Sequence, residues 1–160
     1  MAAQWRTARL GNLGWQVQVN SGVEGLRLLI VEDDAQVGST LADTLRDAGH
    51  TVCGVARTTT DAIVMTRLHR PSIAIVDLRL GENGDGVEIA RQLLRMSGVG
   101  ILFLTGYPDD LQRRADVGHA WMQKPYAPGD LARGVELVAA MRRGLRLPEA
   151  IPATFHPIVP

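Results

Sequence analysis

Five short apolar runs recur along the chain, LRLLIV (26–31), TVCGVA (51–56), SIAIVD (72–77), GILFLT (100–105) and HAWMQ (119–123), each separated from the next by a stretch with helical spacing. Strands alternating with helices at this density leave few topologies. Parallel strands need crossover connections, these are right-handed, and their helices cover both faces of the sheet. The runs lack the strict polar–apolar alternation of a half-exposed strand, as strands buried on both faces do. The spacing predicts helices over 35–48 (Val37, Leu41, Leu45, Ala48 on one stripe, stopped by Gly49), 59–69 (ended before Pro71) and 86–97 (Val87, Ala90, Leu93, Leu94). A short polar helix over 109–117 and a last one over 128–143, with Leu131, Val135, Val138 and Met141 at helical spacing, complete the set. The expected class is α/β, a doubly wound parallel sheet.

The domain so defined spans 26–143. Residues 1–25 show no sustained period and are expected to form a flexible N-terminal extension. Residues 144–160 hold four of the eight prolines and are expected to be an extended C-terminal tail. With 17 basic and 17 acidic side chains the net charge is zero, so no global field draws the chain to nucleic acid or an anionic membrane. Apolar runs such as LLIV and ILFL fall far short of the roughly 18 residues that span a bilayer. The N-terminus has no secretory h-region, and the lone Cys53 excludes an internal disulfide. A cytoplasmic protein with no nucleic-acid or membrane partner is the expectation.

In open α/β sheets, ligands bind in the crevice beyond the carboxyl ends of the strands. The first run ends in Glu32 and Asp33, the third in Asp77, the fourth in Thr105, and the fifth leads to Lys124-Pro125. Three carboxylates, a hydroxyl and an amine on one rim suit a hard divalent cation, Mg²⁺ or Mn²⁺, which relieves their mutual repulsion. A carboxylate beside such an ion and an ammonium is a nucleophile toward an activated phosphoryl group, so the chemistry suggested is aspartyl-phosphate formation. Asp34, the third acid of IVEDDA, reads instead as the N-cap of the first helix. His50, His69, His119 and His156 have no metal or catalytic spacing. Arg142, Arg143 and Arg146 read as a solvated helix end, and Cys53 as a small buried apolar residue.

Over about residues 26 to 142 these motifs resemble the receiver domain of two-component response regulators. The resemblance implies a flavodoxin-like (βα)5 three-layer sandwich with a five-stranded parallel sheet in the order 2-1-3-4-5. It implies that Glu32 and Asp33 hold Mg²⁺, that Asp77 is the phosphoacceptor and a further ligand, and that the backbone carbonyl of Arg79 completes the protein's share of the metal site. Thr105 matches the switch hydroxyl, Lys124 the lysine paired with the acceptor, and Trp121 the aromatic switch position, although Trp121 also suits plain core packing. A cis Lys124–Pro125 bond is implied as well. Arg79 and Tyr107 match side chains that border the path of the hydrolytic water, and their bulk implies a slowly hydrolysing aspartyl phosphate. The acceptor loop DLRLGENGDG departs from the usual pattern: it lacks the Met-Pro pair, and Gly86 falls one residue late.

The residues after the last helix are too few for a helix-turn-helix module, so a single-domain regulator is expected. The implied partners are a histidine kinase or histidine phosphotransfer protein, and a downstream protein met by the face of the fourth helix, fifth strand and fifth helix. A homodimer stays open. The rival reading is a phosphorylation-independent pseudo-receiver acting as an interaction adaptor, against which Asp77, Thr105 and Lys124 all argue. A phosphohydrolase would want a second acid where Arg79 stands.

Overall fold

The computed structural model describes residues 5–10, 15–20, 25–114 and 116–158. Its strands are β1 (Trp5–Leu10), β2 (Trp15–Asn20), β3 (Arg27–Val31), β4 (Thr51–Ala56), β5 (Ile73–Asp77), β6 (Gly100–Thr105), β7 (Ala120–Gln123) and β8 (Phe155–Pro157). Its helices are α1 (Ala35–Asp47), α2 (Thr59–His69), α3 (Gly86–Ser97), α4 (Pro108–Arg114) and α5 (Pro128–Arg142). The main sheet runs β4-β3-β5-β6-β7-β8. Its first five strands are parallel and follow the expected order 2-1-3-4-5. None of the described helices is long and apolar enough to cross a membrane.

α1, α2 and α3 each begin where a side chain can satisfy free N–H groups, whereas α5 starts on Pro128, which has no N–H to satisfy. Asp34 caps α1 as expected, accepting from the N–H groups of Gln36 at 2.8 Å and Val37 at 3.0 Å. Thr58 caps α2 and Asp85 caps α3 in the same way. At its end α2 is closed by Arg70, whose φ of 46° is left-handed. Pro71 bars the α region to Arg70, so the chain must leave the helix there.

The strands divide the core into two apolar layers. Leu28, Ile30, Ile75, Leu102 and Leu104 face α1 and α5, while Leu29, Val31, Val76, Ile101 and Phe103 join residues of α2 and α3. Both faces of β3, β5 and β6 are dry, which is why those runs showed no alternation, whereas the edge strand β4 is only partly buried.

Three expectations need correction. The five expected parallel strands are all present, and a sixth strand joins them: β8, within the segment expected only to be extended, pairs antiparallel with β7. The extension expected over 1–25 contains a hairpin, β1 with β2, and β2 lies against α5; residues 1–4, 11–14 and 21–24 lie outside the described ones. Consequently α5 is buried around most of its circumference rather than along one stripe, including Arg133 and Glu136, which pair at 3.1 Å. Burial pushes the Arg133 pKa down and the Glu136 pKa up. Smaller corrections concern Arg142, which donates to the carbonyls of Ser72 and Gly98 at 2.8 Å each, and Cys53, which is half-buried.

Candidate functional site

β3, β5 and β6 end together, and the loops after them and after β7 form one rim. Asp77 is the last residue of β5. Its Oδ1 accepts the Arg79 N–H at 3.2 Å, and its Oδ2 is 2.8 Å from Lys124 Nζ. The Lys124–Pro125 peptide is cis, as the resemblance implied. The Lys124 N–H donates to the Thr105 carbonyl at 2.8 Å, so β6 and the lysine are tied directly. Thr105 is buried, and its hydroxyl accepts from the Tyr107 N–H at 2.8 Å.

Glu32 is only 3% exposed. Its Oε1 accepts the Asp34 N–H at 3.1 Å, whereas Oε2 has no partner. Desolvation, above all, pushes its pKa up to about 7, with the neighbouring Asp77 carboxylate adding to the rise and the Asp34 N–H and Lys124 opposing it. A buried carboxylate oxygen without a donor is costly, and a bound cation is the natural remedy. Asp33 faces the loop after Asp77, its Oδ2 lying 3.3 Å from where a Cβ on Gly81 would sit. Among the described residues, however, no three His, Cys, Asp or Glu side chains gather closely enough to hold one ion. The trio Glu32, Asp33 and Asp77 is therefore not assembled as a single ligand set, although the Glu32 and Asp77 carboxyls lie within hydrogen-bonding reach of each other. The orphaned Glu32 oxygen beside Asp77 still fits Mg²⁺, which needs only one or two carboxylates and keeps several waters.

The acceptor loop is anchored by contacts that sequence reasoning missed. Arg79 and Asp85 form an isolated antiparallel bridge, and Arg114 of α4 pairs with the Asp85 carboxylate. That pairing and the Val87 and Glu88 N–H groups outweigh desolvation and lower the Asp85 pKa. Gly86 lets α3 start against the acceptor: a Cβ there would collide with the Asp77 carbonyl oxygen and lie 2.9 Å from the Leu78 Cα. Gly86→Ala is thus expected to displace the loop and cost about 2 kcal/mol, the usual scale of overpacking. Chemical denaturation would check this, and an unchanged stability would refute it. The glycine's late position had only signalled an unusual loop.

Between the loops after Asp77 and Thr105, the Arg79 guanidinium lies 3.7 Å over the Tyr107 ring and 3.7 Å from an Asp110 oxygen. The two bulky residues expected to border the water path are in contact with each other. Tyr126, unnoticed in the sequence, has its pKa pushed up to about 12, first by burial and then by the Asp77 and Glu32 charges, so its phenol keeps its proton. Trp121 is 7% exposed and stacks on His156 of β8, centroids 4.0 Å apart and planes at 19°. His119 accepts the Ile101 N–H through Nδ1 at 3.1 Å, a structural role.

The family model described as "Response regulator receiver domain" matches residues 28–136. The transcriptional regulatory protein PdtaR of Mycobacterium tuberculosis is 30% identical over 132 residues, 81% of this chain and 64% of that protein. The phyllosphere-induced regulator PhyR of Methylorubrum extorquens is 27% identical over 125 residues, 77% of this chain and 47% of that protein. The chain thus spans less than two thirds of these relatives' length. Among solved structures, the signal receiver domain of a modulated diguanylate cyclase from Desulfovibrio desulfuricans G20 superposes with a TM-score of 0.64 at 29% identity, covering 75% of this chain and 98% of that one.

Proposed function

The chain belongs to the response regulator receiver domain family, and from that premise we propose that Asp77 accepts a phosphoryl group from the phosphohistidine of a kinase or phosphotransfer protein. A carboxylate oxygen of Asp77 attacks phosphorus, the P–N bond breaks, and the imidazole nitrogen leaves with the electron pair. The observation that carries this reading is the 2.8 Å contact of Lys124 Nζ with Asp77 Oδ2, which places a cation where charge on the transferred group must be balanced. Binding of Mg²⁺ or Mn²⁺ would draw Asp33 in beside Glu32 and Asp77, with the Arg79 carbonyl, and would supply further charge neutralisation to the phosphoryl oxygens. Once transfer is complete, the Thr105 hydroxyl exchanges its bond from the Tyr107 N–H for one donated to a phosphoryl oxygen. Signalling then passes to a protein partner through the face of α4, β7 and α5.

The test is Mg²⁺-dependent labelling with acetyl phosphate of the wild type and Asp77→Asn. Incorporation in the wild type alone is expected; absent or equal incorporation would overturn the reading.

The stacked Arg79 and Tyr107 support a long-lived aspartyl phosphate, because a ring and a guanidinium in contact hinder an in-line water. Truncating both, Arg79→Ala with Tyr107→Ala, is expected to speed dephosphorylation about tenfold, the scale of one lost contact of about 1.4 kcal/mol. Phosphate release after removal of the donor reads this directly, and an unchanged half-life would show that neither side chain guards the path.

A further inference from the structure

β7 would be the last strand of a parallel sheet, with a row of unpaired backbone groups along one side. Residues 154–158 cover that side. Phe155, His156 and Pro157 pair with Met122, Trp121 and Ala120; the Gln123 N–H donates to the Thr154 carbonyl at 2.9 Å, and the Ile158 N–H to the His119 carbonyl at 2.9 Å. The seat is shaped for its occupant. Phe155 is 2% exposed, and a Cβ on Gly134 of α5 would come within 2.6 Å of Met122 Sδ and 3.4 Å of the Phe155 ring. A glycine inside a helix weakens it relative to alanine, so the space it leaves is not free.

The hold is nevertheless short and imperfect. β8 is three residues long and includes Pro157, which has no N–H to give. The Thr154 hydroxyl is buried with no hydrogen-bond partner, a cost that detachment would remove. β8 also adjoins the site. Thr105 pairs with Gln123 and Phe103 with Trp121, so the Thr105 and Trp121 side chains are diagonal neighbours on one sheet face. Lys124, next to Gln123, is bonded to Asp77.

We propose that the outer edge of β7 is an interaction surface which the chain itself occupies with residues 154–158, and that phosphorylation of Asp77 releases this strand. The inference rests on Asp77 being the phosphoacceptor. Drawing Lys124 and Thr105 toward a phosphoryl group pulls the end of β7 away from the Thr154 carbonyl. Space opened beside Thr105 lets Trp121 turn off His156. The bared edge then takes an extended segment of a partner protein carrying an aromatic ring at the place of Phe155, as β-strand addition requires.

Hydrogen exchange of the full chain, with and without acetyl phosphate and Mg²⁺, tests this on samples whose intact mass reports phosphorylation. The Gln123 and Ile158 amides are expected to exchange at least about tenfold faster in the phosphorylated chain, while Leu104 in the sheet interior is unchanged. A fluorescent peptide of residues 152–158 is expected to bind the phosphorylated chain at least about tenfold more tightly than the unmodified one, and its Phe155→Ala version to lose that preference. His156→Ala is expected to raise Gln123 exchange without phosphorylation. Phosphorylated chains whose two amides stay protected would overturn the release while leaving the phosphoacceptor reading intact. Chains that gain no phosphoryl mass would overturn both.

Discussion

Lys124→Ala is expected to slow phosphoryl incorporation at Asp77 by about a hundredfold, the usual consequence of removing one preorganised charge partner from a transferring group. The ammonium is 2.8 Å from Asp77 Oδ2, and the lysine is held in place by its own N–H on the Thr105 carbonyl. The side chain is one third exposed, so its removal should leave the fold in place and the loss should appear in the transfer rate. The check is the rate of mass gain with acetyl phosphate at saturating Mg²⁺. Lys124→Arg keeps the charge but replaces a compact ammonium with a planar fork, and only partial recovery is expected. A Lys124→Ala rate within a factor of two of the wild type would remove the lysine from the chemistry.

The second large effect is on stability, and it follows from Glu32. Its folded pKa is raised from 4.5 to about 7, chiefly by desolvation. The folded state therefore binds the Glu32 proton more tightly than the unfolded chain does. Relative to Glu32→Gln, the stability this proton supplies is fully present below pH 4.5 and is lost as pH rises through about 7. The loss is on the order of 3 kcal/mol, from 1.36 kcal/mol per pKa unit. In chelator, denaturant midpoints at pH 5 and pH 8 should fall for the wild type far more than for Glu32→Gln. Mg²⁺ should restore the wild type at pH 8, because an ion bound to the carboxylate stabilises only the folded state. Equal pH dependence in the two proteins would show that Glu32 is solvated and holds no strategic charge.

Much of this site was legible because strand ends in a parallel sheet share a rim, whatever the loops between them do. Glu32, Asp77, Thr105 and Lys124 could be placed from the five apolar runs, and Asp34 could be separated from its neighbours because a helix start needs a cap. The assembly of the metal ligands was not legible: whether Asp33 joins Glu32 and Asp77 at one point depends on the loop after Asp77, where Asp33 faces the close approach of Gly81. In WQVQVN, Trp15, Val17 and Val19 alternate with polar residues at the period of a strand, a run too short to stand out from the aperiodic residues around it. Phe155 and Ile158 are apolar residues in a proline-containing stretch where no period exists to reveal a strand.

The sequence by itself determined the doubly wound parallel class, the Asp34 cap, and the acidic, hydroxyl and ammonium groups at the strand ends, since these follow from local periodicity and from residues adjacent to each strand; the strand order came with the family resemblance. Only the tertiary structure decided that β8 closes the sheet on β7, that Trp121 lies under His156, that Arg79 stacks on Tyr107, and that the second oxygen of Glu32 is left without a donor. The physical reason is the same in each case. These are contacts between segments far apart in sequence, selected by the space that packing leaves and by the polar groups it strands, and neither quantity exists until the layers have come together.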